Sequence, residues 1–175
     1  MAGITSGYQN NNPGNLRAGP ISFVGEISPV NGFRAFSSLT YGIRAWIRNL
    51  YTQVTIRGNS TYQDYLTAYA PQSDNNDANY PALVCGTDFN LTDPIALDDS
   101  SIQTLFFDQI AQEIAPDNTL ISPSDFAAGL QSFKASAPGV VLETATILPS
   151  NYFILAMLAI FLAVALFAIY KIASA

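Results

Sequence analysis

Histidine is absent from this 175-residue chain, cysteine occurs once, at Cys85, and glutamate three times, at Glu26, Glu113 and Glu143. The first two scarcities exclude disulfides, Cys/His zinc sites and any Ser-His-Asp or Cys-His nucleophilic machinery. Catalysis, if present, must rest on carboxylates. Positive charge is scarce as well, with 7 Lys+Arg against 13 Asp+Glu and a net charge of −6. A partner in nucleic acid is therefore not expected, because phosphate binding asks for a basic surface. The Asp pairs at 98–99 and 74/77 lack a convergent ligand set, so no metal and no other cofactor is implied.

One long apolar run stands out. Residues Tyr152 to Tyr170 read YFILAMLAIFLAVALFAIY, without charge, glycine or proline, and Lys171 follows. At 1.5 Å per residue such a run spans about 28 Å, close to the hydrocarbon thickness of a bilayer. The expectation is a transmembrane helix over 152–171, a C-terminal tail anchor in a lipid bilayer bracketed by interfacial tyrosines. The N-terminus MAGITSGY has neither the basic nor the apolar region of a secretory leader. Which side of the membrane carries the rest stays open. Residues 135–151, with small residues and two prolines, read as a linker. The soluble domain is then 1–134.

Within that domain, turn signals at Pro13-Gly14, Gly19-Pro20 and Asn31-Gly32 flank short apolar runs that can form a hairpin. Helices follow. Ile43, Trp46, Ile47, Leu50 and Val54 recur at helical spacing over 40–55, with Arg44 and Arg48 off that stripe. Ser60–Gln63 and Ser100–Gln103 read as capping boxes that open helices running to about Pro71 and about Ala115. Ser122-Pro123 opens a last helix carrying Phe126, Leu130 and Phe133. The fold class expected is mainly α, with a small hairpin or irregular insertion, plus the one transmembrane helix.

The helix over 100–115 holds the most informative residue. With Ile102 at zero and about 100° per residue, Leu105 lies at about 300°, Phe106 at about 40° and Ile110 at about 80°. Glu113 falls at about 20°, inside the apolar stripe, and Gln109 at about 340°, beside it. A carboxyl aimed at a core is costly to ionise, and the negative end of the helix macrodipole opposes a second negative charge there. Both effects favour the protonated form that a general acid needs. If the helix frays before Pro116, Glu113 instead reaches water.

The first loop, GYQNNNPGNLRAG, concentrates side-chain amide around a Pro-Gly turn. Its asparagines either staple the loop to itself through Asx turns or grip something from outside, and the two are compatible. Core packing is the simplest account of Tyr62, Tyr65 and Tyr69.

Taken together, Asn11-Asn12-Pro13-Gly14-Asn15-Leu16-Arg17, Gly32-Phe33-Arg34-Ala35-Phe36, Gly42-Ile43-Arg44-Ala45 and the stretch from Tyr69-Ala70-Pro71 through Asp74-Asn75-Asn76-Asp77 to Tyr80 resemble a phage-associated family with a lysozyme-like, peptidoglycan-cleaving α+β fold. The resemblance covers about residues 10–115. It departs at Gln72 and Asp74, where the family prefers Pro and Glu, and in the short segment before Asn10. Related domains place an acid at the end of a helix before the Asn-rich loop. A circularly permuted arrangement would give that role to Glu113; otherwise the fold persists without catalysis.

The resemblance implies a lytic transglycosylase or muramidase-like domain, with Glu113 as the catalytic acid. Asn11, Asn12, Asn15, Arg17, Tyr69, Asn75, Asn76 and Tyr80 would line a cleft for peptidoglycan glycan strands. Asp74 or Asp77 would serve if a second carboxylate were needed. Combined with the apolar tail, it suggests a protein of the virion membrane of a lipid-containing phage, acting on the cell wall as infection begins. A structural virion protein that binds capsid proteins or glycan without cleavage is the alternative. An open cleft shared by Glu113 and the asparagine loop would favour the enzyme, and a sealed Glu113 the structural protein.

Overall fold

A computed structural model describes residues 5–75 and 78–136. The chain divides into two units, Met1–Leu142 and Glu143–Ala175, and every described residue belongs to the first. In chain order the elements are α1 (Ser6–Gln9), β1 (Glu26–Val30), β2 (Phe33–Phe36), α2 (Leu39–Thr55), α3 (Tyr62–Tyr69), α4 (Gln72–Asn75), α5 (Tyr80–Cys85), α6 (Asp99–Glu113), a 3-10 turn (Asp117–Leu120) and α7 (Pro123–Ser136).

The architecture is mainly helical with one two-stranded antiparallel sheet, and the expected fold class is corrected in its one transmembrane helix. No described helix is long and apolar enough to cross a membrane. The longest of them, α2, has 17 residues and carries Arg44 and Arg48, so it is amphipathic rather than apolar all round. The segment 152–171 expected to span a bilayer lies outside the described residues, as does the linker beyond Ser136.

The hairpin turns at Asn31-Gly32, whose φ values of 52° and 81° suit the tight turns that follow the twist of paired strands. Phe33 faces Val30 and Phe36 faces Glu26, with a register shift between Ile27 and Val30. The asparagine loop lies along this hairpin. The Arg34 amide donates to the Leu16 carbonyl at 2.8 Å and the Ala18 amide to the Gly32 carbonyl at 2.9 Å.

The core gathers Ile43, Trp46, Ile47 and Leu50 of α2 with Tyr65 and Leu66 of α3, Ile102, Leu105, Phe106 and Ile110 of α6, and Phe126 and Phe133 of α7. These are the apolar stripes that the spacing predicts. Helix starts differ in detail. Thr61, not Ser60, caps α3, accepting from the Asp64 amide at 3.1 Å. Asp98 caps α6, accepting from the amides of Ser100 and Ser101 at 3.1 and 3.0 Å. A carboxylate at that position also meets the positive end of the macrodipole, an advantage over a serine hydroxyl. At α7, Ser122 and Asp125 cap each other's backbone amides, followed by Pro123.

Gly42 permits the approach of loop to helix. A Cβ there would overlap the Asn11 carbonyl, so any larger residue would push the asparagine loop off the start of α2.

Candidate functional site

Glu113 closes α6, half-buried at the edge of the core. Its Oε1 accepts from the Tyr80 hydroxyl at 2.5 Å, and its Oε2 from the Asn15 amide at 3.0 Å. The same Asn15 nitrogen donates to the Glu113 carbonyl at 2.9 Å. One amide therefore grips both the side chain and an otherwise orphaned helix-end carbonyl. Asn15 can do this because it takes a left-handed conformation, φ 50°, which asparagine tolerates.

Behind the carboxyl runs a buried polar relay. Gln109, with no exposed surface, accepts through Oε1 from Trp46 Nε1 and from the Tyr65 hydroxyl, each at 3.1 Å. Its amide nitrogen donates to the Tyr80 oxygen at 3.2 Å, which frees the Tyr80 proton for Glu113. Every member of the chain has a partner, so its geometry is held rather than adaptable.

Burial raises the Glu113 pKa above its ordinary value, opposed by the hydrogen bonds from Tyr80 and Asn15 and by the charge of Arg17. Desolvation dominates. The phenols of Tyr65, Tyr69 and Tyr80 are likewise pushed up, first by burial and also by the Glu113 charge. They remain neutral donors at any ordinary pH.

Glu113 opens onto a cavity of about 1160 Å³ that Asn15, Arg17 and Tyr69 also line. That volume exceeds the roughly 300–1,000 Å³ usual for small-molecule sites, and suits a polymer segment. Among the described residues Glu113 is the one acidic side chain on its wall.

The other expected site residues lie as follows. Asn11 donates to the Phe36 carbonyl at 2.9 Å. Asn12, 1% exposed, donates to the carbonyls of Leu16 and Arg34, each at 3.0 Å, and accepts from the Leu16 amide at 2.9 Å. These two amides staple the loop and the hairpin, leaving Asn15 as the loop asparagine that reaches the cavity. Tyr69 anchors its hydroxyl on the Gly14 carbonyl, packs its ring against Tyr65 and contributes to the cavity lining. A Cβ on Gly14 would meet Trp46 and the Tyr69 oxygen, each at 2.5 Å, so glycine is required for that closeness. Arg17 lies over the Phe33 ring, 5.2 Å from its centroid. Tyr80, expected to line the cleft, starts α5 and meets the carboxyl without being part of the cavity lining. Asn75 ends α4, whereas Asn76 and Asp77 lie outside the described residues. Among the described residues no group of His, Cys, Asp and Glu could hold a metal ion.

Sequence reasoning passed over Tyr65 and Trp46 as members of the relay, reading them as core alone. It also gave no role to Arg44, Arg48 and Arg57, which line the same cavity. The signal for two of them was visible in the four-residue spacing of Arg44 and Arg48 off the apolar stripe of α2. No protein-family model and no curated protein matches this chain, so the reading of the site rests on its geometry.

Proposed function

We propose that this domain cleaves the glycan strands of peptidoglycan, as a lytic transglycosylase in which Glu113 is the general acid. The observation that carries the reading is a single carboxyl, raised in pKa by burial, gripped on both oxygens and facing a polymer-sized cavity. Glu113 would protonate the glycosidic oxygen as its bond to the anomeric carbon breaks. A hydroxyl of the same sugar then attacks that carbon, closing an internal ether and returning its proton to the Glu113 carboxylate. Atoms and charge balance without a water nucleophile, so one carboxyl suffices. A two-carboxylate hydrolase would need a second acid across the cavity.

Asn15 and Tyr80 would act as positioning groups. Both stabilise the carboxylate left after proton donation, and Arg17 adds a favourable charge. Tyr69, which contributes to the cavity lining, would supply aromatic surface for a sugar. The motif resemblance supports a phage setting, in which the domain acts on the host wall as infection begins.

The test is digestion of purified peptidoglycan by the full chain and by its Glu113→Gln variant. Soluble products ending in an anhydro sugar, released by the wild type alone, are the expected result. Products with free reducing ends would indicate hydrolysis instead. Binding of the wild type without any product would favour the structural alternative, a glycan-binding virion protein.

A further inference from the structure

The seven basic residues of this acidic chain are Lys134, Lys171 and five arginines, and all five arginines line the one cavity that Glu113 faces. Two are engaged close to the hairpin: Arg34 is ion-paired to Glu26 at 2.6 Å, and Arg17 lies over Phe33. The other three follow α2. Arg44 and Arg48 are one turn apart on the same face, and Arg57 lies just beyond the helix end, about 20 Å along the axis from Arg44. Among the described residues none of these three has an acidic partner at ion-pair distance. Arg44 is held by the Ser136 hydroxyl, at 3.1 Å from Nε and 2.7 Å from a terminal nitrogen.

Like charges at this helical spacing repel, and the cost is visible at Arg44, whose pKa is lowered by burial and by Arg48. A row of guanidinium groups that pairs with no carboxylate among the described residues, in a protein of net charge −6, suits an anion from outside. Such an arm concentrates field in the cavity, and the planar guanidinium fork matches carboxylates and phosphates.

We propose that the arm of the cavity along α2 is a subsite for oxyanion groups carried by the substrate polymer, with Arg44, Arg48 and Arg57 reading the carboxylates of the peptide stems on the glycan. This rests on the reading of Glu113 as the cleaving acid only for the identity of the polymer. The arm and the carboxyl share one cavity, so a strand lying across Glu113 presents its substituents to α2. Specificity would then come from the stems, while the acid acts on the sugar.

The test compares binding of the full chain to peptidoglycan strands with stems intact and to strands from which the stems have been removed enzymatically. Both are stripped of phosphate polymers beforehand. Arg48 and Arg57 are exposed, so the double variant Arg48→Gln/Arg57→Gln keeps the core untouched. The expected result is about tenfold weaker binding of stem-bearing strands by this variant, with binding of stem-free strands unchanged. Lys134→Gln, which removes a charge that pairs with Asp99 outside the cavity, should bind as the wild type does. Equal binding of both strands by the wild type would overturn the proposal. So would preference for a free phosphodiester polymer, or for a single-stranded oligonucleotide, over the stem-bearing strand. Stem-dependent binding without product release would uphold the subsite and sink the cleavage reading; product release without stem dependence would do the reverse.

Discussion

The two ends of α6 each carry a carboxyl, and the helix treats them in opposite ways. Asp98, at the N-terminus, is exposed, accepts from Ser100 and Ser101, and is held at about 2 by those hydrogen bonds. Glu113, in the last turn, is drawn toward the core and raised in pKa, chiefly by desolvation. The helix macrodipole adds to the contrast, since its positive end meets Asp98 and its negative end Glu113. A carboxyl at the first end is a capping device that stays charged. A carboxyl at the second is held against its own ionisation, a condition that suits a group that hands over a proton. Between them, Asp108 shows what burial does to a poorly satisfied carboxyl: among the described residues its Oδ2 has no hydrogen-bond partner, and desolvation followed by the Asp88 charge pushes it up to about 6.

The largest way to break the comparison is Glu113→Gln, which removes the proton and keeps the shape. Cleavage should fall by about 10²–10⁴-fold, while the midpoint of urea unfolding at neutral pH does not fall. The sign follows from linkage. A carboxyl whose folded pKa is raised favours folding most at low pH, and that contribution is lost as pH rises from its unfolded toward its folded value. Gln109→Leu attacks the support of the same end. It leaves Trp46 Nε1 and the Tyr65 hydroxyl without their acceptor, and should cost about 2–4 kcal/mol in equilibrium unfolding.

Asp108→Asn and Asp98→Ala should move stability in opposite senses. The Asp108 contribution declines as pH rises from about 4 to about 6, so the asparagine variant should unfold later than wild type above that window, by about 1 kcal/mol after allowing for solvent screening. Loss of the Asp98 cap should cost about 1 kcal/mol at neutral pH. That difference should vanish as pH falls from about 4 toward about 2, where Asp98 itself is protonated. The smallest change is Tyr80→Phe. Its hydroxyl lowers the Glu113 pKa, so its removal should move the basic limb of the pH–rate profile to higher pH, with little loss of rate at the acidic end.

What was legible in the sequence follows the same physical lines. The helices α2, α6 and α7 were readable because each buries a stripe at helical spacing, and the hairpin because Asn31-Gly32 separates two short runs. Glu113 and Gln109 were readable because a helical wheel fixes direction within one element. The caps slipped by one or two residues where Ser, Thr and Asp compete side by side, as at Ser60-Thr61 and Asp98-Asp99-Ser100. The division of labour among Asn11, Asn12 and Asn15 was not readable, because it depends on which carbonyls of the hairpin and of α6 the loop meets. Convergence of the five arginines is also a tertiary fact. They are scattered from 17 to 57, and the fold alone brings them to one cavity.

The most direct measurement is a carbon-13 NMR titration with glutamate labelled selectively at the side-chain carboxyl, feasible because the chain has only Glu26, Glu113 and Glu143. The Glu113→Gln variant assigns the signal that disappears. If the account holds, that signal titrates above the ordinary glutamate value of 4.5, and moves higher again in Tyr80→Phe. Titration at or below 4.5 would mean that Glu113 is ionised throughout the working range, and would contradict its role as the proton donor.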